Sequence, residues 1–306
     1  MDFGIQTRGD WEYVLTTAQW AEARGLRALA LPDHYLQRGD ELEKPAWDHL
    51  VHLAGLARET ETLDLVCLVS PVTFRHPAVL YKMGVTLDEI SNGRFVLGLG
   101  AGWLDEEFEV FGLPYPELAT RMEMYEEAMA YIRAAINADG VGFEGKHYRL
   151  AEFSPQPVPQ NLRLMGGGAG KPKARRIAAL YGDEYNLYGT GPEKFREIKE
   201  LTRREAAEAG RDPDEIFWSS AGPGIAAKKD ADYRRLLGRL AEMTDKSPER
   251  IEEVYDKRQI PHGPGTKAAE MIAALEDAGC QMYYPQVFVS EDDPRDFDIM
   301  FDAYQG

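Results

Sequence analysis

Apolar positions along this chain fall into two alternating rhythms. Short runs of strand length, without polar alternation, occupy residues 3–7, 28–31, 63–69, 95–99, 162–165, 184–187, 217–221 and 282–289. Between them lie longer stretches with apolar residues three and four apart, at 11–24, 47–60, 77–90, 121–137, 173–181, 192–209, 233–243, 248–255, 267–278 and 294–304, which predict helices. Local chemistry marks the boundaries. Asp10 is placed to cap the first helix and Gly25 to end it; Pro32 and Pro71 stop strands, and Ser91-Asn92-Gly93 closes the third helix. Strands that are apolar throughout fit a parallel sheet covered on both faces.

Two architectures accommodate eight such strand–helix units. A doubly wound open sheet usually carries a glycine-rich phosphate turn after its first strand. The turn here, Gln6-Thr7-Arg8-Gly9, is not glycine-rich. The expected fold is therefore α/β, a (β/α)8 TIM barrel forming a single domain over residues 1–306. An insertion is expected after the fourth unit, near 141–160, where a hairpin-like stretch at 142–148 precedes the proline-rich SPQPVPQ at 154–160.

Composition narrows the range of partners. The 306 residues are 44% hydrophobic, enough for a large core. The net charge of −17 repels phosphate backbones, so nucleic acid is not expected as a partner. No run of 18 apolar residues is present, and the first residues, MDFGIQTRGDWEYV, do not read as a signal peptide, so no membrane association and a cytoplasmic location are expected. Cys67 and Cys280 sit far apart in apolar stretches and read as buried small hydrophobes.

In a parallel barrel, chemistry gathers where the strands end at their C-terminal side. That rule selects Asp33 and His34, Ser70, Gly100 to Trp103, the run Gly166-Gly167-Gly168, and Asn186 with Leu187. Histidine exchanges protons near neutral pH, although Asp33-His34 could equally be a helix cap beside a surface histidine. Three successive glycines permit positive φ and close backbone approach to a ligand, and a following helix start offers N–H groups to a phosphate; the alternative is a flexible turn. Gly98-x-Gly100-x-Gly102 fails the dinucleotide pattern because Trp103 follows, and reads as close packing with Trp103 as a pocket wall. His49 and His52 stand three apart on a helix without a nearby third ligand, so no metal is expected and a core-edge role is preferred. His76 reads as a helix entry, and His147 and His262 as loop residues without an evident partner. Neither GxSxG nor GxxxxGK[ST] is present, which disfavours hydrolase and nucleotidase readings.

The segments FGIQT (3–7), AEARGL (21–26), LPDHY (31–35), TFRHPAVLYKMGVTLDEISNGRFVLGLGAGWLDEEFEVFGLPYP (73–116) and LMGGGAGKPKARRIAALYGDEYN (164–186) occur in an order that resembles the luciferase-like monooxygenase superfamily, in its branch of coenzyme F420-dependent oxidoreductases. The resemblance covers most of residues 1–190 and only the outline of the last hundred. It implies a barrel with an insertion, often dimeric, that binds F420 or FMN. His34 matches a histidine that related dehydrogenases place beside the reactive ring carbon, and Asp33 matches a cofactor-contacting aspartate. Leu68-Val69 falls where such proteins often carry a non-prolyl cis peptide backing the ring. Gly166, Gly167 and Gly168 match backbone that meets the cofactor phosphate, and Asn186 matches the polar end of strand six. Gln6, Ser70, Gly102, Met165 and Leu187, also at strand ends, complete the cofactor-binding candidates, with Trp103 assigned to the substrate pocket.

One departure bears on substrate. Sugar-phosphate dehydrogenases of this superfamily carry a glutamate after the strand-four glycines, where this chain has Trp103, which argues against the same chemistry on a sugar phosphate. The nearby Glu106 and Glu107 are explained by the preference for carboxylates at a helix start. The expected activity is hydride transfer between F420 and a small organic substrate, in a homodimer. The rivals are an FMN-dependent monooxygenase and a flavin-binding protein without turnover. Segments 37–44 and 141–160 and the C-terminal third are expected to decide the substrate.

Overall fold

The computed structural model describes residues 1–37, 45–287 and 295–306. Its strands β1 (Asp2–Gln6), β2 (Ala28–Leu31), β3 (Asp64–Pro71), β4 (Phe95–Gly100), β7 (Arg163–Gly168), β8 (Glu184–Tyr188), β9 (Phe217–Pro223) and β12 (Met282–Gln286) close into a parallel barrel, with β12 pairing back onto β1. Helices α1 (Trp11–Ala23), α2 (His49–Glu59) and α3 (Pro77–Ile90) follow the first three strands. The fourth is followed by α4 (Asp105–Phe111) and α5 (Leu118–Asn137). Helices α6 (Pro172–Tyr181), α7 (Pro192–Glu208), α10 (Lys267–Asp277) and α11 (Arg295–Gln305) continue the outer layer. The TIM-barrel expectation is met.

The caps read from sequence have structural counterparts. The Asp10 carboxylate accepts from the Tyr13 amide at 2.9 Å, and the His76 ring nitrogen accepts from the Ala78 amide at 3.1 Å. Such caps satisfy donors that the first helical turn leaves unpaired. Short antiparallel strands β5 (Phe143–Glu144) and β6 (Arg149–Leu150) form the anticipated hairpin after α5. The sequence reading named two helical stretches after β9. Here they are α8 (Asp230–Thr244) and α9 (Pro248–Arg258), framed by a small parallel pair, β10 (Ala226–Ala227) with β11 (Gly263–Pro264). The short helix α4 was missed as a separate element. Segment 38–44, most of the expected first lid, and residues 288–289 of the predicted last strand lie outside the described residues.

Strand alternation sorts side chains into two cores. Ile5, Leu29, Leu31, Leu65, Cys67, Leu97, Leu99, Leu164, Tyr185 and Leu187 face the helices. Ala28, Ala30, Val66, Leu68, Val96, Met165, Ala221, Met282 and Tyr284 fill the interior. The two ends of that interior differ. At the N-terminal floor Arg27 pairs with Asp2 at 3.0 Å and Asp64 at 3.4 Å, and Arg163 with Asp64 at 2.7 Å. Both cysteines are buried and free.

Candidate active site

The mouth opens on the turn after β2. The Asp33 carboxylate is fully buried, accepting from Ser70 Oγ at 2.6 Å and Arg75 Nη1 at 2.5 Å. Burial pushes its pKa up, opposed by the Arg75 guanidinium and the Ser70 hydroxyl. Arg75 also bonds Asp48 at 2.7 Å and lies over the Tyr35 ring at 5.4 Å; these acidic and aromatic neighbours keep it charged despite its own burial. Asp48 in turn caps α2 through the Leu50 amide at 3.0 Å. Asp33 is thus locked into a buried ion pair, and the reading of the Asp33-His34 pair as a cap beside a surface histidine does not hold.

His34 Nδ1 lies 3.0 and 3.1 Å from the two oxygens of Glu107. Glu107 is buried and also accepts from the Tyr35 amide at 2.7 Å and the Leu36 amide at 3.0 Å. A group already taking two backbone donors is an acceptor toward the ring as well. Nδ1 therefore carries the proton, and in the neutral imidazole Nε2 carries the lone pair. Trp103 meets the His34 ring edge-on, with centroids 5.5 Å apart, and remains 58% exposed. The sequence reading attributed Glu107 to helix-start electrostatics; the structure corrects this. Its carboxylate turns inward from α4 and orients the candidate catalytic histidine.

A second wall lies on β3, the strand next to β2. The peptide bond Leu68–Val69 is cis, and Gln6 Nε2 donates to the Leu68 carbonyl at 2.6 Å. Gln286 Nε2 holds Gln6 Oε1 at 2.5 Å. Glycines clear space for the Val69 side chain. A Cβ added at Gly98, Gly100 or Gly167 would fall 2.8, 3.0 or 2.9 Å from a Val69 methyl. A Cβ at Gly98 would also meet the Cys67 carbonyl at 2.2 Å.

The other candidates fall into separate groups. Gly166 to Gly168 lie within β7, not after it, and none has positive φ. A Cβ at Gly166 would meet Ala178 at 3.0 Å and one at Gly168 would meet Ala174 at 3.3 Å, so these two glycines let α6 approach the sheet. Only Gly167 faces Val69. Gly102 turns the chain at φ +78°. Asn186 points inward and donates to Ser219 Oγ at 2.8 Å. Met165 is buried in the interior, in the cluster that Val69 packs against, and Leu187 is buried against the helices.

The remaining histidines have assigned surroundings. His49 is buried, its Nδ1 is 2.6 Å from the Pro32 carbonyl, and burial lowers its pKa to about 4. Contrary to the sequence reading, His147 and His262 do have partners. His147 Nε2 meets Glu123 at 3.1 Å, and the buried His262 bonds the Ile260 carbonyl at 2.8 Å.

A parallel barrel with a carboxylate-held imidazole and a glycine-cleared apolar wall at its C-terminal mouth defines the class: a barrel enzyme. The luciferase-like monooxygenase family profile matches residues 2–282, and the chain belongs to that family. It is 31% identical over 284 residues to an F420-dependent glucose-6-phosphate dehydrogenase of Kineococcus radiotolerans, covering 85% of this chain and 82% of the relative. It is 29% identical over 281 residues to an FMNH2-dependent dimethylsulfone monooxygenase of Pseudomonas fluorescens, covering 89% and 74%. In structure it resembles a monooxygenase from Streptomyces bottropensis, with TM-score 0.82 and 22% identity over 100% of this chain and 98% of that one. Among the described residues no helix is long and apolar enough to cross a membrane.

Proposed function

We propose that the chain is an oxidoreductase that moves a hydride between coenzyme F420 and a small organic substrate. The observation that carries this reading is the His34–Glu107 pair at the barrel mouth, beside the Val69 wall. The residues present fit a planar, polar-edged heterocycle. Val69, seated over the side-chain-free positions at Gly98, Gly100 and Gly167, offers an apolar face, while Gln6, Ser70 and Asn186 place hydrogen-bonding groups near it. The backbone running from Gly168 into the start of α6 can supply N–H groups to a phosphate.

When bound, the deazaflavin would supply or accept the hydride. The protein's part is to handle the accompanying proton. His34 Nε2 takes it from a substrate hydroxyl during oxidation, or returns it to the carbonyl oxygen during reduction. Glu107 fixes the ring's tautomer and direction. Trp103, against the His34 edge, walls the substrate side.

A second reading, an FMN-dependent monooxygenase, is favoured by the similarity to the Pseudomonas fluorescens enzyme over 89% of this chain. Titrating the purified protein with F420 and FMN side by side separates the two. Binding of F420 with quenching of its fluorescence supports the leading reading, and tight FMN binding with no affinity for F420 rejects it.

A further inference from the structure

A chain of side-chain hydrogen bonds runs inside the barrel, away from His34. Asn186 Nδ2 donates to Ser219 Oγ at 2.8 Å, and Ser219 Oγ donates to Glu184 Oε1 at 2.5 Å. All three residues are buried, on the adjacent strands β8 and β9. Glu184 begins β8 near the floor, whereas Asn186 is level with Gly167, the glycine cleared for Val69.

The direction of this chain follows from proton count. A serine hydroxyl has one proton to give. While Glu184 is ionised it accepts that proton, so the Ser219 oxygen accepts the Asn186 amide N–H, and Asn186 turns Oδ1 away from Ser219. When Glu184 takes up a proton from solvent on Oε1, the oxygen that faces Ser219, its own O–H donates to Ser219 Oγ. The Ser219 proton then points to Asn186, which rotates to accept it through Oδ1 and turns Nδ2 outward instead. We propose that Glu184 is a positioning residue that acts through Ser219 to set whether Asn186 offers an acceptor or a donor to the ring at the barrel mouth. The consequence for the cofactor rests on the reading above; the relay itself does not.

The surroundings of Glu184 put this change within reach of ordinary pH. It is faced by Ser219, by Arg163 at the start of β7, Asp64 at the start of β3, Arg27 before β2, Tyr284 on β12 and Cys280 just before that strand. Burial pushes its pKa up to about 7, against the pull of Ser219, Arg163 and Arg27.

The test uses ligand-free, nitrogen-15-labelled protein, with the Asn186 side-chain amide signals assigned by their loss in Asn186→Asp. In the native chain these signals should move with pH, with a midpoint near that of Glu184, about 7. They should stay fixed in Ser219→Ala and in Glu184→Gln. Ser219→Ala leaves the carboxyl in place, so it carries the test if Glu184→Gln does not fold. Signals that ignore pH in the native chain, or that keep moving in Ser219→Ala, overturn the relay. Fluorescence titrations with F420 and with FMN form the second arm. Affinity should change about tenfold across the same midpoint, the size expected for one mismatched buried hydrogen bond, and should be flat in both variants. A titrating Asn186 with pH-independent affinity overturns the contact between Asn186 and the ring. A titrating Asn186 with neither molecule bound rejects the cofactor reading and leaves the relay standing.

Discussion

At the floor of the barrel, Arg27, Asp2, Asp64 and Arg163 neutralise one another with their side chains between 15% and 48% exposed. At the mouth, Asp33 and Glu107 are fully or almost fully buried, and each is tied to one cation or imidazole: Asp33 to Arg75, Glu107 to His34. Both ends are built from the same strands. The floor spends its charges on closing the barrel, where solvent softens every interaction. The mouth holds its charges in fixed geometry away from water, which costs stability and gives direction to the imidazole. That contrast is the general division of labour in parallel barrels, and here it is visible residue by residue.

Four experiments probe it. His34→Ala should lower the turnover rate by about two to four orders of magnitude while changing cofactor affinity little, as measured by steady-state kinetics and cofactor titration. Equal losses in both would show that His34 only holds the ring. Breaking one ion pair at each end compares them directly. Arg75→Met strands a buried carboxylate and should cost about 3–5 kcal/mol in urea unfolding, whereas Arg27→Met at the floor should cost about 1 kcal/mol or less. Similar costs would erase the distinction.

Glu184 lies near the floor but, unlike its neighbours there, is fully buried, and its pH dependence has a definite sign. Its folded pKa of about 7 lies above the ordinary value of 4.5, so its contribution to stability is fully present below 4.5 and is lost as pH rises through 7. Glu184→Gln should therefore become more stable relative to the native chain as pH rises, by up to about 3 kcal/mol above neutrality. Denaturant midpoints measured on both sides of that window check it; a constant difference would mean that Glu184 does not titrate there. A smaller effect than the loss of the Arg75 pair is expected of Gly167→Ala, whose Cβ would press on Val69 at 2.9 Å. It should cost about 1–3 kcal/mol, measured by thermal melting, and should weaken cofactor binding because the ring wall has moved.

The strand ends were readable because a parallel strand in this fold is apolar throughout and stops at punctuation: Ala28–Leu31 before Pro32 coincides with its predicted limits. Helix α4 was not, since seven residues carrying four carboxylates give little helical periodicity. Losing α4 also hid Glu107. The pair His34–Glu107 spans 73 residues, and only the side-by-side pairing of β2, β3 and β4 brings the ends of these strands near each other. The same holds for Asp33 with Arg75, 42 residues on. The glycine triplet was legible as a place of close approach, but periodicity alone does not say which face each glycine serves. Gly166 and Gly168 serve helix packing and Gly167 serves Val69.

The crowding at Val69 constrains how this sequence can vary. Glycines from two neighbouring strands, Gly98 and Gly100 on β4 and Gly167 on β7, give way to the methyls of one side chain. A change to alanine at position 69 would relieve Gly100 and Gly167 of the contacts that now crowd a methyl, while Gly98 would still be held by the Cys67 carbonyl. Among descendants of this chain, positions 69, 100 and 167 should therefore drift together, and position 98 should stay fixed whatever happens at 69.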